Sequence, residues 1–293
     1  MKNIAVLLAN PARPTLDENI VESAVRILSV GGATVGTPAW LAPGIACDIP
    51  FDGPEAGLGM TGIDAVIVSA ANRRKKLLVA DMESTIIENE MLDELADFLG
   101  LKNRIAAITA RAMNGEIDFA AALNERVGLL QGLPVAKLDE AAKRIRFTPG
   151  AATLVATMKE HGAYCALVSG GFTYFTALVR NALGFDYDGA NILRHDGNTL
   201  AGTVEPPILG KEAKLAALNE LCFQRGLPLE DALAVGDGAN DLPMLKAAGL
   251  GVAFHAKPMV AAEVNARIRH GDLTALLYLQ GYRQNDFVQR ENP

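Results

Sequence analysis

Three short clusters of polar residues stand out by the chemistry they could share. Asp81 is followed by Glu83, Ser84 and Thr85; Ser169 by Gly170 and Gly171; and Asp237, set between Gly236 and Gly238, by Asn240 and Asp241. Two carboxylates so close in sequence suit a nucleophile and a general acid, because different surroundings can drive their pKa values apart. Ser169-Gly170-Gly171 offers a hydroxyl and backbone N–H groups where an anion can come close, next to a helix start. Asp237 and Asp241 are hard oxygen ligands suited to magnesium, and Asn240 can donate to a phosphate or cap the helix it opens. Each cluster alone has an ordinary reading as a cap or a strand-to-helix turn. Together they supply a carboxylate nucleophile, a divalent cation site and anion-holding donors, the parts of phosphoryl transfer through an aspartyl-phosphate.

The elements around them say whether they meet. Each cluster directly follows a short apolar run, at 77–80, 163–168 and 232–235, and a fourth such run lies at 250–254. Segments of helical period fill 151–161, 172–183, 211–225 and 240–248. Apolar strands alternating with amphipathic helices predict an α/β fold, a doubly wound, Rossmann-like parallel sheet covered on both faces. In such sheets ligands bind beyond the carboxyl ends of the strands, so the clusters should converge. Residues 95–147 interrupt the alternation with helical stretches and no clear strand, as an inserted cap would. An Asp-Gly turn within 194–199 signals a hairpin.

Residues 1–72 differ in texture: a strand at 3–9, a helix at 16–28, an irregular Gly/Pro-rich region over 31–62 and a strand at 65–69. They predict a small N-terminal α/β module, joined through the basic run 73–76 as a solvated connector. The division is then 1–72 for the module and 73–293 for the larger unit, with its core at 73–94 and 148–293 and its cap at 95–147.

Among the 293 residues, 27 Lys and Arg oppose 34 Asp and Glu, a net charge of −7. Such a chain lacks the overall positive charge that favours nucleic acid. No apolar stretch approaches the roughly 18 residues that span a bilayer. The apolar run 4–9 is too short for a signal-peptide core. Cys47, Cys165 and Cys222 are widely spaced and read as reduced, buried thiols. A cytoplasmic protein with neither nucleic-acid nor membrane partners is expected.

Asp81 to Thr85, Ser169-Gly170-Gly171-Phe172 and Gly236 to Leu242 resemble the motifs of the haloacid-dehalogenase-like phosphatases. The runs 94–96, 112–115, 126–130, 247–251 and 256–258 look like the phosphoserine phosphatases in particular. The resemblance covers residues 76–280 and implies Mg²⁺-dependent hydrolysis of L-phosphoserine, the last step of serine biosynthesis. It makes Asp81 the nucleophile and Glu83 the general acid/base. Asp81, the Glu83 carbonyl and Asp237 would hold Mg²⁺, with Asp241 close behind. Ser169, the Gly170 N–H and Lys214 would hold the phosphate, with Asn240 on the substrate side. Glu90 and Arg126 would grip the amino and carboxylate groups of serine. Met113 and Phe119 read as cap packing that could shape the pocket, Lys211 as solvated charge, and His255 as non-catalytic. One residue departs from the pattern: the family usually has Asp where Glu83 stands.

Other functions compatible with these residues are a phosphatase or phosphotransferase for another small phosphomonoester, and a catalytically weak sensor of amino acids or phosphoamino acids. A dehalogenase fits poorly, because the metal-binding carboxylates and Lys214 suit phosphate. The first 70 residues resemble amino-acid-sensing ACT-like modules only weakly; they would be regulatory, structural or dimerising, the last giving a homodimer.

Overall fold

The computed structural model describes residues 1–113 and 116–293, the side chains of Met113 and Lys211 apart. The 112–115 run and the expectations for Met113 and Lys211 therefore lie wholly or partly outside the described residues. The N-terminal module contains β1 (Asn3–Leu8), α1 (Glu18–Val30), β2 (Thr34–Val35), β3 (Ala39–Ala42), β4 (Ala46–Asp52) and β5 (Asp64–Ser69). Its antiparallel sheet runs β2-β4-β1-β5, with β3 also on β4. Asp17 caps α1 by accepting the Ile20 N–H, and Val21, Ala24 and Leu28 turn that helix inward. The stretch read as irregular thus contains three strands. Pro50 obscures the longest of them, but its carbonyl faces Gly36, just beyond the end of β2. The missing N–H forgoes only the reciprocal bond to Gly36, beyond the paired residues of β2.

The larger unit begins with β6 (Leu77–Ala80). Four helices follow: α2 (Met91–Asp97), α3 (Lys102–Met113), α4 (Phe119–Gly128) and α5 (Ala136–Ala142). Then come α6 (Ala151–Glu160), β7 (Tyr164–Phe172), α7 (Thr173–Leu183), β8 (Tyr187–Asn191), β9 (Leu193–His195), β10 (Leu200–Val204) and α8 (Lys211–Gln224). The chain closes with β11 (Ala232–Gly236), α9 (Leu242–Ala247), β12 (Leu250–Phe254), α10 (Pro258–Glu263), β13 (Ala266–Ile268) and α11 (Ala275–Leu279). Six strands make a parallel sheet in the order β13-β12-β11-β6-β7-β8.

Alternation along the strands sends Leu78, Ala80, Cys165, Leu167, Leu233 and Val235 to one apolar layer. Leu77, Val79, Ala166, Val168, Ala232 and Ala234 go to the other, which includes Leu218, Leu221, Met244 and Leu245 of α8 and α9. This is the doubly wound core that the alternation of strand and helix predicts. The first of the four helices after β6 starts at Met91, and β9 and β10 form the antiparallel hairpin. Backbone bonds from Gly132 and Val135 to Leu200 and Asn198 tie that hairpin to the chain after α4.

The basic run is a buried joint rather than a solvated connector. Arg73 spans both oxygens of Asp48, at 2.5 and 2.8 Å, and donates to the carbonyls of Tyr278 and Leu279. Lys75 is buried and gives its ammonium protons to the Asn72 and Glu230 carbonyls. Only Arg74 and Lys76 turn outward. All three cysteines are free and buried, and among the described residues no helix is long and apolar enough to cross a membrane.

Candidate active site

Strands β11, β6 and β7 are neighbours, so the clusters at their carboxyl ends emerge side by side. Asp81 leaves β6 as its backbone donates to the Val235 carbonyl of β11. Its Oδ1 accepts the Met82 N–H at 2.8 Å and lies 2.6 Å from the Lys214 ammonium. Among the described residues Oδ2 accepts no hydrogen bond, which leaves one carboxylate oxygen held and the other available. Lys214, in the first turn and a half of α8, is only 2% exposed and also bonds Asp241 Oδ1 at 2.6 Å. Burial works against its charge, but Asp81 and Asp241 outweigh that and raise its pKa.

Asp241 is wholly buried and takes the Gly238 N–H on its other oxygen. A Cβ on Gly236 would overlap its carboxyl group, which explains glycine there. Oxygens of Asp81, Asp237 and Asp241 all lie within 4.8 Å of one another. Burial and the neighbouring Asp241 raise the Asp81 pKa well above the carboxylate range, against the pull of Lys214. Burial, Asp241 and Glu90 push Asp237 up to about 7, partly offset by Lys257 and Lys214. Three crowded carboxylates with one buried ammonium leave anionic charge to be balanced. An all-oxygen donor set fits Mg²⁺. Asp241 belongs to that cluster directly, as the residue types predict, whereas the family resemblance places it just behind the metal. Asn240 is partly buried beside Gly238 and caps no helix.

Between Asp81 and the cap the backbone leaves helical geometry at Glu83 (φ −72, ψ 139) and Ser84 (φ 54, ψ 10). A left-handed serine is an uncommon conformation, and such strain gathers at functional sites. Here it lets Ser84 Oγ donate to Glu90 Oε1 at 2.7 Å, a contact the sequence motif does not disclose. The Glu83 carboxylate accepts the Met91 N–H at the start of α2, 2.8 Å away. Burial, then Glu90, push its pKa up to about 8, so it carries a proton at neutral pH. The Thr85 hydroxyl is buried and has no hydrogen-bond partner among the described residues.

Ser169 and Gly170 lie within β7, which extends through the Ser-Gly-Gly run to Phe172. Ser169 is buried, and its Oγ accepts the Gly171 N–H. The cap reaches this floor through Phe119 at the start of α4: Cβ atoms placed on Gly170 and Gly210 would each come within 3.2 Å of its ring. Arg126, on the same helix, is partly buried; burial lowers its pKa while the charges of Glu83, Glu90 and Asp93 oppose the fall. The arrangement brings together a held carboxylate, a carboxyl group of raised pKa and an acidic cluster suited to a cation, with the charges of Arg126 and Glu90 acting on Glu83.

Comparison with known proteins agrees with this geometry. The haloacid dehalogenase-like hydrolase family matches residues 78–246. A phosphoserine phosphatase of Polaromonas is 47% identical over 210 residues, 70% of this chain and 89% of that protein. Another from Streptomyces coelicolor is 40% identical over 227 residues, 77% of this chain, which spans only 55% of that longer relative. In three dimensions, a probable phosphoserine phosphatase of Vibrio cholerae superposes with a TM-score of 0.79 at 29% identity, over 97% of this chain and 88% of that one. The chain belongs to the haloacid dehalogenase-like hydrolases, in their phosphoserine phosphatase family.

Proposed function

We propose that the chain hydrolyses L-phosphoserine to serine and phosphate by way of an aspartyl-phosphate on Asp81, with Mg²⁺ as cofactor. The observation that carries this reading is the placement of Arg126, Glu90 and Glu83 around one another beside Asp81 and Lys214. Asp81 attacks phosphorus through its free oxygen, and the bond from phosphorus to the serine oxygen breaks. Protonated Glu83 gives its proton to that oxygen. Now ionised, Glu83 takes a proton from a water molecule, whose oxygen attacks phosphorus and releases phosphate from Asp81. Ser169, the Gly170 N–H, Lys214 and Asn240 hold the phosphoryl oxygens. Asp81, the Glu83 carbonyl, Asp237 and Asp241 are the groups that would hold Mg²⁺, which when bound neutralises phosphoryl charge.

A phosphoamino acid carries a carboxylate and an ammonium, and one guanidinium beside one carboxylate complements both. Glu90 is exposed at the rim and braced by Ser84, a suitable place to meet an ammonium. In the same reading residues 1–72 form one unit and 73–293 another, with α2 to α5 as the cap. The free, buried thiols suit a reducing, cytoplasmic compartment.

The test is phosphate release from a panel holding L-phosphoserine, D-phosphoserine, phosphoethanolamine and phosphoglycolate, with and without Mg²⁺. Preference for L-phosphoserine is expected, since each of the two amino-acid contacts is lost in one of the achiral esters. Equal turnover of phosphoglycolate would replace the substrate and keep the chemistry.

A further inference from the structure

We propose that Asp64 of the N-terminal module is a positioning residue for the active-site loop 255–257, on which Lys257 serves as a second cation for the phosphate. The inference rests on reading the acidic site as a phosphate site. In the parallel pairing of β11 with β12, Gly236 stands beside Ala253. The chain leaving β11 into Asp237 and the chain leaving β12 into 255–257 therefore emerge together. Lys257 precedes α10, whose first residue is Pro258, so its backbone is confined there. Its charge reaches the Asp237 carboxylate, opposing the rise that burial imposes on that group.

What holds this loop comes from farther away. His255 adopts φ 44, a left-handed conformation that a residue with a side chain keeps only when its surroundings demand it. Its N–H donates to the Ile268 carbonyl at 2.8 Å, and its ring Nε2 donates to the Gly271 carbonyl at 2.9 Å. A carbonyl can only accept, so the ring proton sits on Nε2. The Phe254 ring stacks on the imidazole at 4.1 Å. The segment that receives His255 is in turn pinned by the module. The Asp64 carboxylate, 4% exposed, accepts three consecutive backbone N–H groups, from Arg269, His270 and Gly271, each at 2.9 Å. Asp64 opens β5, whose far end leads into the Arg73 joint. A contiguous path thus runs from Asp64 through Gly271 and His255 to Lys257 and the metal side of the site.

The test is a double-mutant cycle on the full chain, reading inorganic phosphate binding to the Mg²⁺-saturated protein by calorimetry, with thermal unfolding alongside. Lys257→Gln is expected to weaken phosphate binding about two- to fivefold, the range of a solvent-exposed ionic contact. Asp64→Ala should weaken it in the same direction, and should weaken it no further when Lys257 is already Gln. The fall in melting temperature from Asp64→Ala should be the same in both backgrounds. Asp64→Asn, which retains one acceptor, serves if the alanine variant does not fold, and should show a smaller loss with the same non-additivity. Asp64 variants that melt earlier yet bind phosphate like the parent would overturn the proposal, as would additive losses in the double variant. Turnover of phosphoserine by the unaltered chain is scored separately. If that fails while phosphate binding stays coupled between positions 64 and 257, the substrate reading falls and the positioning role stands.

Discussion

The Glu83 carboxylate fills the space where a side chain at Gly171 would begin: a Cβ on Gly171 would lie 2.8 Å from Glu83 Oε2. The bare backbone of β7 thus makes room for a carboxyl group one methylene longer than the aspartate usual at this position. Gly171→Ala should displace that carboxyl and cut kcat, while leaving Mg²⁺ affinity near that of the parent. Glu83→Gln removes the proton transfer outright and should cost about 10²–10⁴ in kcat. Steady-state kinetics with phosphoserine checks both. Near-normal turnover in Glu83→Gln would remove Glu83 from the mechanism.

Lys214 is the buried ammonium between Asp81 and Asp241. Lys214→Met should lower kcat by about 10²–10³ or more, as loss of a preorganised charge at a reacting group does. It should also destabilise the metal-free protein, because two buried carboxylates lose their partner, and Mg²⁺ should restore much of that stability. Thermal unfolding with and without Mg²⁺ reads the difference.

Two carboxyl groups set opposite pH limbs. Asp237, pushed up to about 7, must lose its proton to bind a cation, so Mg²⁺ affinity should weaken as pH falls through that value. The slope is roughly tenfold per pH unit for each proton displaced. Glu83, pushed up to about 8, must hold its proton to serve as the acid. With Mg²⁺ saturating, the leaving-group step should slow as pH rises through about 8. Calorimetry across the lower range and single-turnover kinetics across the upper one test the two limbs independently.

Arg126→Lys keeps the charge and loses the planar fork. It should raise KM for phosphoserine about 10- to 100-fold, the worth of a charged hydrogen-bonded contact. An ester without a carboxylate, such as phosphoethanolamine, should be affected far less. Equal losses on both esters would assign Arg126 to the phosphate or to folding.

Much of the site was legible because the chemistry sits in runs of adjacent residues. Asp81 and Asp237 follow short apolar strands and Ser169 ends the apolar part of a third, and the order of strands and helices forces their convergence. What escaped was whatever depends on partners distant in sequence or on an unusual backbone conformation. Arg73 looks solvated among other basic residues, yet its partner Asp48 lies in a strand that Pro50 disguises. Ser84 reads as a turn residue until its left-handed backbone carries it to Glu90. Asp64, last before an apolar run, shows nothing local of its three donors more than 200 residues away.

The Arg73 joint gives a stability prediction free of catalysis. Arg73→Met would leave Asp48 nearly buried without its partner, which should cost about 3–5 kcal/mol. Urea denaturation measures it directly. A loss under about 1 kcal/mol, typical of exposed pairs, would mean the joint is solvated after all.

The proposed mechanism passes through a covalent phosphoryl group on Asp81. The direct measurement is rapid acid quench of the Mg²⁺-loaded protein mixed with L-phosphoserine, followed by peptide mass spectrometry. One phosphoryl group on the peptide carrying Asp81, absent from Asp81→Asn, is the expected result. Full turnover in Asp81→Asn, or a phosphoryl group on another residue, would contradict it.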